Sequence, residues 1–192
     1  MTDEELRNRL YTPTVEDTII LPAEDSSTDP IAVAAVRVME SYQNANKWLD
    51  SVKEILLMDL GCVFFSNYVH ELAHTMPTRF DKFGDILHIA GRKVPYPATG
   101  AIPTTPKDIN ESFKVVFEVV QAISLSLRAF IKAAQDSDYH VLACSTEELL
   151  VDIEKEHIPL HRMKKVYDSC NDSLKFDTWV SQYVSNLDKL ID

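Results

Sequence analysis

The sequence predicts an all-α protein: a four-helix bundle followed by a short fifth helix. Only four glycines occur in 192 residues, and apolar residues recur every three or four positions over four long stretches. These stretches form two hairpins joined by a longer connection, an order typical of a bundle with one crossover. We expect an acidic, flexible tail at residues 1–29 and one bundle domain at residues 30–192.

Helix A is predicted over residues 30–58. Asp29 offers an N-cap, and Pro30 is suited to the first helical position because its missing N–H needs no partner there. A single apolar stripe then continues for more than seven turns, and Gly61 ends the pattern.

Helix B is predicted over residues 62–90, with Gly91 closing it. Pro77 lies inside this stretch and removes one backbone hydrogen bond. Two separate helices would leave the second with only about 14 residues, too short to match its neighbours in a bundle of long helices. We therefore expect one helix that is kinked at Pro77.

Helices C and D form the second hairpin, over residues 107–136 and 139–169. Helix C is apolar on more than one side, which predicts that it is the most buried of the set. Pro159 should kink helix D or end a turn early. A shorter fifth helix is predicted over residues 174–190.

Composition excludes several classes of function. The net charge is −11, and the tail carries eight acidic residues against two arginines, so nucleic-acid binding is disfavoured. The longest apolar stretch is interrupted and too short to cross a bilayer, and we see no signal peptide. Three cysteines without a C-x-x-C motif suggest free thiols in a reducing compartment. We expect a soluble, cytoplasmic protein.

The face of helix B opposite its apolar stripe concentrates histidine and aspartate, side chains that bind divalent metals. Its members recur at helical spacing: Asn67, His70, His74, Thr78, Asp81, Asp85 and His88. An ordinary solvated face would carry more Lys and Glu. The alternative is a surface or interface patch whose acids pair with nearby Arg and Lys.

This face resembles that of the Dps-type mini-ferritins, within the ferritin-like superfamily. Counting back from Gly91, the metal-binding positions of that family's helix B fall on Ser66, His70, Asp81 and Asp85. The family has a histidine where Ser66 stands and a carboxylate where His70 stands. The resemblance implies a ferritin-like bundle with an iron site built from five residues: His70, His74, Asp81, Asp85 and Glu54.

The resemblance also implies a function. We expect oxidation of Fe(II) by peroxide or dioxygen, a ferroxidase activity, with possible storage of ferric iron in an oligomeric shell. Iron is the expected metal, with zinc as a possible substitute. Because the helix B face points away from the chain's own core, a partner subunit would cover it, and a homo-oligomer of 12 subunits is expected.

Two alternatives remain open. Glu71-x-x-His74 and Glu154-x-x-His157 match the Glu-x-x-His pairs of internal di-iron bundles, with Glu118 and Glu40 as candidates for the extra carboxylates. Both extra glutamates lie opposite the apolar stripes of their own helices, which weakens this arrangement. The other alternative is a metal-free helical bundle that acts as an interaction or structural module.

Overall fold

The computed structural model describes residues 29–100 and 105–187, and the regular structure within these ranges is helical. The helices are α1 (Pro30–Met58), α2 (Val63–Ile89), α3 (Ile109–Asp136), α4 (His140–Lys155), α5 (His157–Cys170) and α6 (Ser173–Leu187). Helices A, B and C are confirmed to within two residues at each end. The predicted tail, apart from Asp29, lies outside the described residues. None of the helices in the described ranges is long and apolar enough to cross a membrane.

The four long helical units pack around one apolar core. Helix α1 packs against α2 and α3, α3 packs against α4, and α6 covers α2 and α5. Aromatic rings fill much of the interior, and the Phe65 and Phe113 rings lie 4.5 Å apart between centroids. The Phe176 ring of α6 meets Phe65 edge-on at 5.4 Å. The fifth helix therefore extends the core rather than standing apart from it.

Helix D is broken where α4 meets α5. The break falls at Glu156, three residues before Pro159, which lacks the N–H that would bond back to the carbonyl of Lys155. The Glu156 carboxylate accepts a hydrogen bond from Arg79 Nη2 at 2.8 Å, and both side chains are largely buried. Helix α2 runs through Pro77 without ending. The disruption of helix D that Pro159 predicts is therefore a break at Glu156, and the Arg79–Glu156 ion pair joins this break to α2.

A carboxylate from α6 caps the start of α2. Asp177 accepts hydrogen bonds from the backbone N–H groups of Phe64 at 3.1 Å and Phe65 at 2.8 Å. The residue is only 5% exposed. These bonds satisfy two of the free donors that every helix N-terminus presents. They therefore join α6, the predicted fifth helix, to the bundle.

Candidate functional site

His70 and His74 lie one turn apart on the outer face of α2. Their Nε2 atoms are 3.0 Å apart, and the two rings meet edge-on with centroids at 4.2 Å. Two imidazole nitrogens at this separation also fit one cation. With metal–nitrogen bonds of about 2.1 Å, they subtend an angle of about 90° at the ion. That is the angle between adjacent ligands of an octahedral ion.

Asp50 of α1 stands behind His70. Its Oδ1 atom lies 3.5 Å from His70 Nδ1, a buried nitrogen that makes no hydrogen bond within the described residues. Histidine ligands commonly direct their second nitrogen at a carboxylate, which fixes the ring and makes it a better ligand. Asp50 is the carboxylate that lies beside this second nitrogen of His70, although the two atoms are not hydrogen-bonded.

The sequence did not single out Asp50. The signal was available, because Asp50 and His70 lie ten residues before and after Leu60 in the A–B turn. In an antiparallel hairpin, residues equally distant from the turn stand side by side. Lys53 and Ser66 lie seven residues before and six residues after Leu60, close to the same rule, and the Ser66 hydroxyl donates to the Lys53 carbonyl at 3.2 Å.

The other predicted ligands, Asp81, Asp85 and Glu54, do not meet the His70–His74 pair within one chain. Asp81 and Asp85 are exposed farther along α2, and with a rise of about 1.5 Å per residue Asp81 stands about 10 Å beyond His74. Glu54 is exposed on α1, where its carboxylate binds Lys53 Nζ at 2.5 Å. Within the described residues, no group of three or more His, Cys, Asp or Glu side chains is placed to hold a metal ion. The described part of a single chain therefore provides no complete metal site, and zinc as a substitute is not supported.

The residues of the predicted internal di-iron site are dispersed. Glu71, Glu118 and His74 are exposed. Glu154 is bound by Arg128, whose Nε lies 3.1 Å from Glu154 Oε1. His157 stacks on Phe117 at 6.4 Å between ring centroids. The structure does not bring these five candidates, Glu71, His74, Glu118, Glu154 and His157, into one group.

The interior between the helices carries polar groups of another kind. Tyr42, Tyr68 and Arg79 are mostly buried, and the tyrosine hydroxyls and Arg79 Nη1 make no hydrogen bond within the described part of the chain. Burial raises the pKa of Tyr42. Burial raises the pKa of Tyr68 as well, and the negative charge of Glu156 adds to the effect. Sequence reasoning missed this cluster because Tyr42 lies in the apolar stripe of helix A, where an aromatic residue is interpreted as part of the hydrophobic core.

The fold, with its four long helical units, single crossover and added fifth helix, is the ferritin-like helical bundle. Solved structures similar to this chain include a mycobacterial bacterioferritin, with a TM-score of 0.68 and 12% identity over 80% of this chain and 92% of that one. Mycobacterium tuberculosis bacterioferritin BfrA is similar in two structures, at 12% identity over 80% of this chain. Their TM-scores are 0.66 and 0.67, and 94% and 92% of those chains are covered. No family model and no curated protein sequence matches the chain.

Proposed function

We propose that this chain is an iron-binding ferritin-like protein that oxidises Fe(II) at sites shared between two antiparallel copies of α2. The observation that carries the proposal is the His70–His74 pair, whose ring nitrogens lie 3.0 Å apart with Asp50 behind one of them. Iron is the substrate, and the oxidant is peroxide or dioxygen. The bacterioferritin neighbours support the fold on which this proposal rests.

The metal-binding face is symmetric about its own midpoint. His74 and Asp81 lie equally far from the point between Pro77 and Thr78, and so do His70 and Asp85. If a second chain packs antiparallel across that point, its Asp81 faces His74 and its Asp85 faces His70. Such a self-complementary contact is the rule in two-fold dimers. In this proposed dimer there are two identical sites, each with two imidazoles from one chain and two carboxylates from the other.

The middle of the face suits a close helix crossing. Pro77 and Thr78 are exposed and small, and packed helices approach to about 8–10 Å between axes. Metal–ligand bonds are only about 2.0–2.2 Å long. Because Asp81 stands about 10 Å beyond His74 on the same helix, a carboxylate from a second chain reaches the histidines far more readily than the chain's own.

The proposed ligands match the chemistry of iron oxidation. Imidazole and carboxylate both bind Fe(II), and the two anionic carboxylates favour the more highly charged Fe(III) product. Four protein ligands leave two positions of an octahedral ion for water or the oxidant. Each Fe(II) ion gives up one electron, and hydrogen peroxide takes up two electrons and two protons to form water, so two Fe(II) ions are oxidised for each peroxide molecule consumed.

The experiment compares initial rates of Fe(II) oxidation in the full chain. Asp81→Ala with Asp85→Ala should reduce the rate to the uncatalysed level and leave the helical content unchanged, because exposed substitutions shift stability by only about 0.5 kcal/mol. The matched control removes the same charge from exposed Glu147 and Glu148 on α4 and should keep the parent rate. A parent with no activity above the uncatalysed rate would overturn the ferroxidase proposal.

The same measurement separates the two metal arrangements. Glu154→Ala with His157→Ala removes the internal Glu-x-x-His candidate and should leave the rate unchanged if the α2 face carries the chemistry. The larger assembly belongs to the proposal as well: a mini-ferritin-type shell would hold 12 subunits, and native mass spectrometry would report it. We also propose a cytoplasmic location, which the free thiols of Cys62, Cys144 and Cys170 support.

A second candidate function is a metal-free interaction module. It is favoured by one observation, that within residues 29–100 and 105–187 no three metal-binding side chains converge in a single chain. In that case the His–Asp face would be a contact surface, and metal analysis of the aerobically purified protein would find no iron.

A further inference from the structure

An apolar groove lies at the end of the bundle that carries Asp29 and Arg92. Its volume is about 380 Å³, and its lining is almost entirely apolar: Ile86, Ile89, Ala90, Tyr139, Val141, Leu142 and Ser145. Ile89 is 77% exposed and Val141 is 70% exposed. Large side chains this open to solvent, side by side on two helices, indicate a contact surface.

The first described residue of the chain is fixed beside this groove. The Asp29 carboxylate caps α1 by accepting from Ile31 N at 2.9 Å, and it binds the Arg92 guanidinium. The same guanidinium lies over the ring of Tyr139, 4.8 Å from its centroid. Since Tyr139 lines the groove, Asp29, to which the tail is joined, lies beside it.

The tail contains one segment with the right chemistry. Ile19-Ile20-Leu21 is the only run of three consecutive large apolar residues before Asp29. Eight residue steps separate Leu21 from Asp29, and an extended chain covers about 3.3–3.6 Å per residue, so the link reaches up to about 29 Å. That span is ample for a groove whose rim touches Arg92.

Charge favours the same placement. Glu24 and Asp25 lie within the link between the apolar run and Asp29. Arg92 and Lys93 follow α2 at the same end of the bundle, and Lys93 is exposed. Because Arg92 is already bound by Asp29, exposed Lys93 is the cation that attracts an acidic link toward the groove.

We infer that Ile19-Ile20-Leu21 of the chain's own tail docks in the groove between the end of α2 and the start of α4. The docked segment covers Ile89 and Val141, and the Asp29–Arg92 ion pair fixes the point from which it folds back. This docking is independent of the iron chemistry proposed above.

Disulfide trapping in the full chain tests the docking. The background carries Cys144→Ser and Cys170→Ser, which remove the exposed thiols and leave buried Cys62. In that background, Ile20→Cys is combined with Ile89→Cys. The matched control combines Ile20→Cys with Val151→Cys, an exposed position on α4 outside this groove.

The groove pair should form a disulfide within one chain at least about tenfold faster than the control pair, because docking raises the effective concentration of the two thiols. Adding Val141→Asp should remove most of that advantage. Equal rates for the two pairs would overturn the proposal. Disulfides that form mainly between chains would also overturn it, since they would place a second copy's tail in the groove.

Discussion

The shared-site proposal makes a quantitative prediction for dimers built from two different inactive chains. One chain carries His70→Asn and His74→Asn, and the other carries Asp81→Asn and Asp85→Asn. Each variant alone lacks one half of every site, so each should oxidise Fe(II) only at the uncatalysed rate. A mixed dimer regains one complete site, because the intact histidines of one chain meet the intact aspartates of the other.

The magnitude follows from the symmetry of the face. A parent dimer holds two sites and a mixed dimer holds one, so the mixed dimer should show about half of the parent rate per chain. The substitutions fall on the outer face of α2, where His74, Asp81 and Asp85 are exposed and His70 is partly so. Such changes alter stability by about 0.5 kcal/mol or less, so folding should not obscure the result.

The assay uses co-expressed chains with two different affinity tags, purified in sequence so that only mixed dimers remain. Stopped-flow absorbance then follows the ferric product after mixing with Fe(II) and oxidant. Purified dimers of each variant alone serve as controls. A mixed dimer no more active than either control would refute the argument, because a site contained in one chain cannot be restored by a partner that lacks the other half.

Two further predictions concern stability and thiol chemistry. Asp177→Ala removes two charge-assisted hydrogen bonds to the start of α2 and should lower the free energy of unfolding, measured in urea, by about 2–3 kcal/mol. Asp168→Ala, at an exposed ion pair, is the control and should change that free energy by about 0.5 kcal/mol or less. Equal urea midpoints for the two variants would contradict the capping role of Asp177. Burial and then the nearby Asp177 charge raise the pKa of the Cys62 thiol to about 11, which leaves it protonated at pH 8. A thiol reagent should therefore react with Cys144 and Cys170 first and reach Cys62 only on unfolding, and rapid loss of all three thiols at pH 8 would show the thiol to be accessible and ionised.

The helices were predictable because their signals are local. Asp29 caps α1 through Ile31 N at 2.9 Å, as the Asp-Pro pair predicts, and the apolar spacing alone carries the helix to Met58. The break in helix D was predicted only in part. Pro159 weakens the backbone there, but the position of the break at Glu156 coincides with the contact from Arg79 on another helix, and the sequence offers no sign of that partner.

The candidate site likewise has one part that the sequence predicts and one part that only the packing of the helices shows. The His70–His74 contact follows from i,i+4 spacing on one helix, and the structure brings the two rings together. Asp50 joins them only through the alignment of α1 with α2. The two Glu-x-x-His motifs do not come together in the same way. Spacing within a helix does not tell whether the face that carries a motif points toward the core or toward solvent. Glu71 is exposed, and Glu154 is bound by Arg128.

The shared-site proposal links iron binding to assembly. The described interior is mostly apolar, with the Arg79–Glu156 ion pair and buried tyrosines within it. The proposed ligands lie instead along the outer face of α2, so all four converge only when two copies meet. A ligand that binds the dimer and not the monomer stabilises the dimer by mass action. The dissociation constant of the dimer should therefore fall by about tenfold for each 1.4 kcal/mol of iron-binding free energy gained on assembly. Sedimentation under anaerobic conditions, with and without Fe(II), measures this shift. The Asp81→Asn, Asp85→Asn variant should show none, and an identical shift in that variant would place the ion elsewhere.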